Sequence, residues 1–376
     1  MKLTTAGESH GKGLIAILEG LPAGLHVDIS AIDEMLARRQ SGYGRGARQR
    51  IESDRVELLS GVRGGTTLGS PVTLFIRNHD YANWEAVLAP EGCDDTQRRL
   101  TKVRPGHADL TGMKKFGHTD ARNVLERASA RETAARVAAG SICRMLLKEL
   151  GVEVVSYVKQ VGEISDSGNY QFHQIKESRS PVLGMMNPGL EARAKAYIDD
   201  LKAAGDTCGG VVELRVKGLK SGFGSCMTYA EKLDARLASA LMSVQAIKGV
   251  EVGLGFEAAS RRGSRAHDEM FPCDTGVRRE TNYAGGIEGG MSNGEELILR
   301  AAMKPIPTLM RGLCTVDTAT GEAATAATER SDVCAIFACA IVLESALSTE
   351  LCAVVLERLG GDTMQQICAR YGELPL

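Results

Sequence analysis

The chain is short of aromatic side chains, which make up only 4 % of its 376 residues and include a single tryptophan. It lacks the stacking platforms of a protein that tracks single-stranded nucleic acid. A net charge of −2 leaves no basic surplus for a phosphate backbone, so any cation-rich site must be a local concentration. No C-x-x-C pair occurs among the ten cysteines, which argues against structural zinc or dithiol redox work, and no metal site is expected. Cys143, Cys334, Cys339 and Cys352 sit in apolar runs and read as buried thiols of a reducing cytoplasm. The start Met1-Lys2-Leu3-Thr4-Thr5 has no apolar core for a secretory signal. The longest strongly apolar run, Val333 to Leu343, falls short of the roughly 18 residues that indicate a membrane span and reads as a core helix. Walker loops, G-x-G-x-x-G and H-E-x-x-H patterns are all missing, so the mechanisms they serve lose their support.

Glycine, in contrast, is abundant at 43 residues and clusters around polar side chains. His10 lies within Gly7-Glu8-Ser9-His10-Gly11, and His107 within Arg104-Pro105-Gly106-His107-Ala108-Asp109. Histidines in such loops, rather than on an apolar face, suit proton transfer or ligand binding more than packing. Arginines accompany them at 38, 39, 45, 48, 127, 131 and 330. The run Arg38-Arg39-Gln40-Ser41-Gly42-Tyr43-Gly44-Arg45-Gly46-Ala47-Arg48 is either a solvated basic loop or an anion clamp of guanidinium forks. Arg127-Ala128-Ser129 precedes an expected helix start, where free N–H groups favour a phosphate, and Arg330-Ser331-Asp332 repeats that arrangement with an added carboxylate. Two proton carriers among fixed cations point to a small polyanionic ligand.

An apolar run predicts a buried strand over 14–18, followed by a helix capped by Ser30 and running to Arg39 and by strands near 56–59 and 71–76. The segment from 77 to 115 reads as a long functional loop. Ser129-Ala130-Arg131-Glu132 has capping-box form ahead of a long apolar helix that ends at Gly151. The second half replays this order, with a strand over 210–216, a helix near 229–242, a strand over 296–302 and a helix opened by Ser331 and Asp332. Gly64-Gly65 and Gly289-Gly290 precede matching strands. A single domain is expected, built by internal duplication from halves of about 10–150 and 208–360, with 162–188 as the connection.

Taken together, "GESHG" (7–11), "RRQSGYGRGAR" (38–48), "RPGHADLTG" (104–112), "RNVLERASARETAARVA" (122–138), "GGIEGGMSNGE" (285–295), "AMKPIPT" (302–308) and "ERSDVC" (329–334) closely resemble the chorismate synthase family, nearly end to end. That resemblance implies an α+β sandwich of helices between two antiparallel sheets, assembled as a tetramer. It also implies 1,4-elimination of phosphate from 5-enolpyruvylshikimate 3-phosphate to give chorismate, the last step of the shikimate pathway towards aromatic amino acids. The family requires reduced FMN although the reaction is redox-neutral overall.

Carried over by position, Arg39, Arg45, Arg104, Arg131 and Arg330 would hold the substrate's anionic groups. His10 would protonate the departing phosphate, His107 would protonate the reduced flavin, and Asp332 would assist removal of the substrate hydrogen. Flavin contacts would come from Arg127, Ala128, Ser129, Gln245, Ala246, Gly289, Lys304, Pro305, Ile306, Pro307, Thr308 and Arg330. Arg39 and Arg45 are also where the family places a reduced nicotinamide nucleotide, NADPH, as reductant. Ala128 stands where many members have serine and Gln245 where many have asparagine, which leaves backbone contacts at those points. No nucleic-acid or membrane partner is expected, and the location expected is cytoplasmic. An enzyme acting on another phosphorylated metabolite without flavin, and an RNA-binding protein, are the competing readings.

Overall fold

The structure is a computed structural model that describes residues 1–46, 53–94, 96–274, 276–328 and 331–374. Strands β1 (Lys2–Ala6), β2 (Gly13–Glu19), β3 (Val56–Ser60) and β4 (Val72–Arg77) form one antiparallel sheet in the order β1-β2-β4-β3. A second antiparallel sheet orders β5 (Glu153–Val161), β6 (Ile164–Ser165), β7 (Gly210–Lys217), β8 (Ile247–Val252) and β9 (Leu297–Met303) as β8-β9-β7-β5-β6. Alternation along β4 and β9 makes one face apolar, whereas the middles of β5 and β7 are buried on both faces. In β9, Leu297, Leu299, Ala301 and Met303 are buried while the residues between them are not.

Between the sheets lie α1 (Ile29–Gln40), α4 (Thr133–Glu149), α5 (Leu233–Met242) and α6 (Ile336–Leu359), while α2 (Asp109–Phe116) and α3 (Arg122–Ala128) pack on each other around a separate apolar cluster. Helix α4 packs on β1, β2 and β4 and also against α6, which in turn packs on β5 and β7. The α+β sandwich expected from the sequence is therefore the observed architecture. Few large side chains are needed because the central helices approach closely. A Cβ added at Gly140 of α4 would come within 2.6 Å of Ser345 of α6, so only glycine permits this crossing. Helix α6 is 24 residues long and apolar enough to span a membrane by composition, yet most of it is buried inside the protein. It is the core helix that the run at 333–343 predicted.

Each half repeats one topology. In the first, β2, α1, β3, β4 and α4 follow one another, with β4 lying between β2 and β3. In the second, β7, α5, β8, β9 and α6 do the same, with β9 lying between β7 and β8. The glycine pairs correspond as well. Gly64-Gly65 and Gly289-Gly290 each form the two-residue turn of a short hairpin, with positive φ at all four residues (58°, 75°, 59° and 83°), as that turn type requires.

Several local expectations need correction. Helix α1 is capped by Asp28, whose Oδ1 accepts from the Ser30 and Ala31 amides, and Ser30 itself donates to that oxygen. The segment from 77 to 115 is not plain loop. It holds a 3₁₀ turn at His79–Asn83, a short helix at Glu85–Leu88, and most of α2. Ser129 and Glu132 make no capping box, because Glu132 accepts from Thr5 Oγ1 and from Gln245 Nε2 instead. Asp332 does not open α6, which begins at Ile336 with no side-chain cap. Of the ten free cysteines only five are buried (143, 208, 334, 339 and 352), while Cys93, Cys226, Cys314 and Cys368 are exposed.

Candidate active site

The glycine-flanked loop between β1 and β2 turns sharply at Gly7, whose φ of 104° and close approach to the Gly13 carbonyl leave no room for a side chain. This turn drives Ser9 and His10 inward, and both are buried. His10 Nδ1 lies 2.9 and 3.0 Å from the two carboxylate oxygens of Glu126 on α3, and the His10 amide donates to Glu126 Oε2 at 2.9 Å. The imidazole stacks on the only tryptophan, Trp84, with centroids 4.0 Å apart. Arg98 and Arg122 sit over the Trp84 ring at 4.0 and 4.9 Å. Burial alone would raise the Glu126 carboxyl, but the hydrogen bonds from His10 and the Arg122 charge hold it below the usual range.

His107 precedes α2 in a loop that turns at Gly106, φ 77°. Its Nδ1 lies 2.5 Å from Oδ1 of Asp109, which is fully buried. Arg104 grips the same carboxylate through Nε (2.9 Å) and Nη2 (3.0 Å), and its Nη1 donates to Thr308 Oγ1 at 3.2 Å. Asp109 is held well below the normal carboxylate range. Burial opposes this, and the bonds from His107 and Arg104 outweigh it. Lys304 Nζ donates to the Gly106 carbonyl, so the stretch 304–308 lies against the His107 loop.

Two further arginines converge on Asp54, whose side chain is fully buried. Arg39 Nη2 donates to it at 2.7 Å and Arg131 Nη1 at 2.6 and 2.8 Å. One carboxylate thus sits between two guanidiniums at a dry position. Burial lowers Arg39, with Asp54 opposing it, and Asp54 is held low by Arg39 and Arg131 against its own burial. Asn78 ties this pair to the His10 loop. Its Oδ1 accepts from Arg131 Nε at 3.0 Å, while its Nδ2 donates to the carbonyls of Gly11 (2.8 Å) and Glu8 (3.1 Å). Arg45 pairs with Asp332 at 2.9 Å, and the Gly46 amide donates to the same carboxylate at 2.6 Å.

The remaining expected residues divide. Arg127 and Ala128 end α3, and Ser129 caps a one-turn 3₁₀ helix (Ala130–Glu132) that runs directly into α4, so the three residues precede a helix start as expected. Arg127 binds the Thr5 carbonyl and hydroxyl, and Ser129 Oγ accepts from Ser9 Oγ and the Arg131 amide. Gln245 reaches this group through Glu132. Ala246 has a φ of 71°, uncommon for a residue with a Cβ, and its carbonyl accepts from the Lys304 amide, which links the two histidine neighbourhoods. Within 304–308, the Ile306 carbonyl accepts from Thr207 Oγ1. Gly289 is not brought into this network; its hairpin packs on α5. Arg330 and Arg48 lie outside the described residues. Sequence reasoning missed Asp54, Asn78, Trp84, Arg122, Glu126 and Glu132. Glu126 and Arg122 stood inside the quoted 122–138 motif, and their separation by four residues on a helix was the available signal.

The network keeps buried polar atoms unmatched. Among the described residues, Nε of Arg39, Nε of Arg45 and Oε1 of Gln245 have no hydrogen-bond partner, which leaves two donors and an acceptor for a ligand. Among the described residues no group of three or more His, Cys, Asp or Glu side chains could hold a metal ion. Two open clefts, of about 480 Å³ beside Arg136 and Ser243 and about 880 Å³ beside Arg262 and His267, include none of the expected site residues. The site is defined by converging polar groups, not by either cleft.

A sequence model of the family described as chorismate synthase matches residues 1–356. The chain belongs to the chorismate synthase family. Chorismate synthase of Alkaliphilus metalliredigens is 51 % identical over 371 residues, covering 97 % of each chain. That of Geobacter metallireducens is 51 % identical over an alignment of 382 residues, covering 99 % of this chain and 97 % of its own. A crystal structure of chorismate synthase superposes with a TM-score of 0.78 at 38 % identity, covering 99 % of this chain and 96 % of the other. As a chorismate synthase the enzyme is a lyase that depends on FMN and catalyses the final step of the shikimate pathway.

Proposed function

We propose that Arg39, Arg45, Arg104, Arg131 and Arg330 bind the phosphate and carboxylates of 5-enolpyruvylshikimate 3-phosphate, and that His10, His107 and Asp332 carry out proton movements around it. The observation that carries this reading is the convergence of two buried guanidiniums, Arg39 and Arg131, on Asp54. Charge-assisted hydrogen bonds are worth roughly 1.5–3 kcal/mol each, so a few such arginines hold a substrate with three anionic groups firmly. Around them the chain is net negative, which focuses the positive potential on the pocket.

His10 has the position to protonate the departing phosphate, since the loop holding it is joined to Arg131 through Asn78 and through the Ser9–Ser129 bond. His107 and Asp332 serve the flavin side. Arg127, Ala128, Ser129, Gln245, Ala246, Gly289, the run from Lys304 to Thr308, and Arg330 would hold FMN. When bound, reduced FMN supplies an electron-rich ring, and the chain supplies position and charge around it. Arg39 is only 5 % exposed and committed to Asp54, which favours a compact phosphate over a nicotinamide dinucleotide at that place. NADPH is therefore ranked second as a ligand there.

The same reading takes the chain as one domain of two related halves, about 10–150 and 208–360, assembled as a homotetramer in a reducing cytoplasm. The shared strand order and the ten free thiols support it. The test is His107→Ala, which should lower turnover by roughly 10- to 10⁴-fold while leaving the fold intact. Near-normal turnover would remove His107 from the reaction.

A further inference from the structure

Both histidines are held by one device, assembled from different parts of the chain. At each, Nδ1 faces a buried carboxylate, and an arginine binds the same carboxylate from another side. For His10 the carboxylate is Glu126, 3 % exposed at its side chain, and the arginine is Arg122, whose Nη1 donates at 3.2 Å. For His107 they are the fully buried Asp109 and Arg104. Neither carboxylate belongs to the proposed substrate or flavin contacts. We propose that Glu126 and Asp109 are positioning residues that lock both imidazoles with the proton on Nδ1, so that Nε2 is the atom that gives or takes a proton in each.

The chemistry of the groups requires this assignment. An ionised carboxylate only accepts hydrogen bonds, so the ring nitrogen facing it must carry hydrogen, and in the neutral ring the other nitrogen is then bare. The arginine on each carboxylate keeps it ionised, and both carboxyls are held below their usual range. Arg104 Nη2 also lies 3.2 Å from His107 Nδ1, but a guanidinium nitrogen is itself a donor, so its bond goes to Asp109 and not to the ring. The His10 ring is fixed further. Its own amide binds Glu126 Oε2, and Trp84 covers one face at an interplanar angle of 25°. Proton donation by His10 then breaks the Nε2–H bond and forms an O–H bond on the phosphate, and the neutral ring keeps its Nδ1–H towards Glu126.

The inference rests on the roles proposed above for His10 and His107, and its test separates the two. The experiment is ¹⁵N NMR of the full chain labelled at its seven histidines, recorded without substrate or flavin at a pH where the rings are neutral, with His10→Ala and His107→Ala to assign the two signals. The wild type should show Nδ1 protonated and Nε2 bare at both. In Glu126→Gln and Asp109→Asn the side-chain amide accepts or donates equally, so the Nε2–H form should appear at the affected ring. Turnover should drop by between about 10- and 10⁴-fold, as when a histidine loses its orienting carboxylate, with KM little changed. An Nε2–H form at either histidine in the wild type would overturn the proposal, as would normal turnover in a folded variant. Should a variant fail to fold, the wild-type spectrum still decides. A wild-type spectrum as expected in a protein that makes no chorismate would leave the positioning intact and remove the assigned reaction.

Discussion

Replacing Glu344 by glutamine removes one charge from the centre of the helical layer and should cost about 3 kcal/mol of stability at neutral pH. The Glu344 carboxylate is fully buried on α6, where it accepts from Arg144 Nη1 at 2.7 Å, Arg179 Nη1 at 2.5 Å and Ser156 Oγ at 2.7 Å. Burial alone would push this carboxyl up, but Arg179, Arg144 and Arg38 together hold it at about 2 against an ordinary 4.5. At about 1.36 kcal/mol per pKa step, that gap corresponds to roughly 3 kcal/mol, in the range found when a buried pair loses one partner. Because the folded value is the depressed one, the contribution is complete above pH 4.5 and is lost as the pH falls towards 2. The assay is urea unfolding of both proteins at one fixed protein concentration, repeated at falling pH. The midpoint difference should be large at pH 7 and should shrink in acid. A difference below about 1 kcal/mol at pH 7, or one that does not narrow with acid, would refute the argument.

Other perturbations follow from the same contacts. Gly140→Ala inserts a methyl group against Ser345, whose atoms include backbone, and should cost about 1–3 kcal/mol by overpacking; thermal unfolding with an unshifted midpoint would show that the α4–α6 crossing is not tight. Arg45→Ala removes the cation paired with Asp332 and should raise KM for the phosphorylated substrate more than it lowers kcat, so an unchanged KM would count against the clamp.

The fold was readable from the sequence where its signals are local. A short apolar run marks β2, period-two alternation marks β7 and β9, the 3.6-residue apolar face marks α4, and the glycine pairs at 64–65 and 289–290 mark two hairpins in matching places. The short helices α2 and α3 escaped, since each is too brief to show a period and lies in a polar stretch. Among site residues, His10 and His107 stood out because glycine-flanked histidines have little packing use. Their carboxylates differed in visibility. Asp109 lies two residues from His107, whereas Glu126 is 116 residues from His10, and nothing local joins it to that ring. Asp332 was misread as a helix cap for the same reason, since its partners Arg45 and Gly46 come from the other end of the chain. A polar side chain near a helix start looks like a cap until a distant donor claims it.

The most direct test of the account is anaerobic incubation of the full chain with chemically reduced FMN and 5-enolpyruvylshikimate 3-phosphate, following phosphate and chorismate together. The account predicts equal release of both products with reduced FMN, and loss of that release in His10→Ala. Folded, flavin-saturated protein that releases neither product would contradict it.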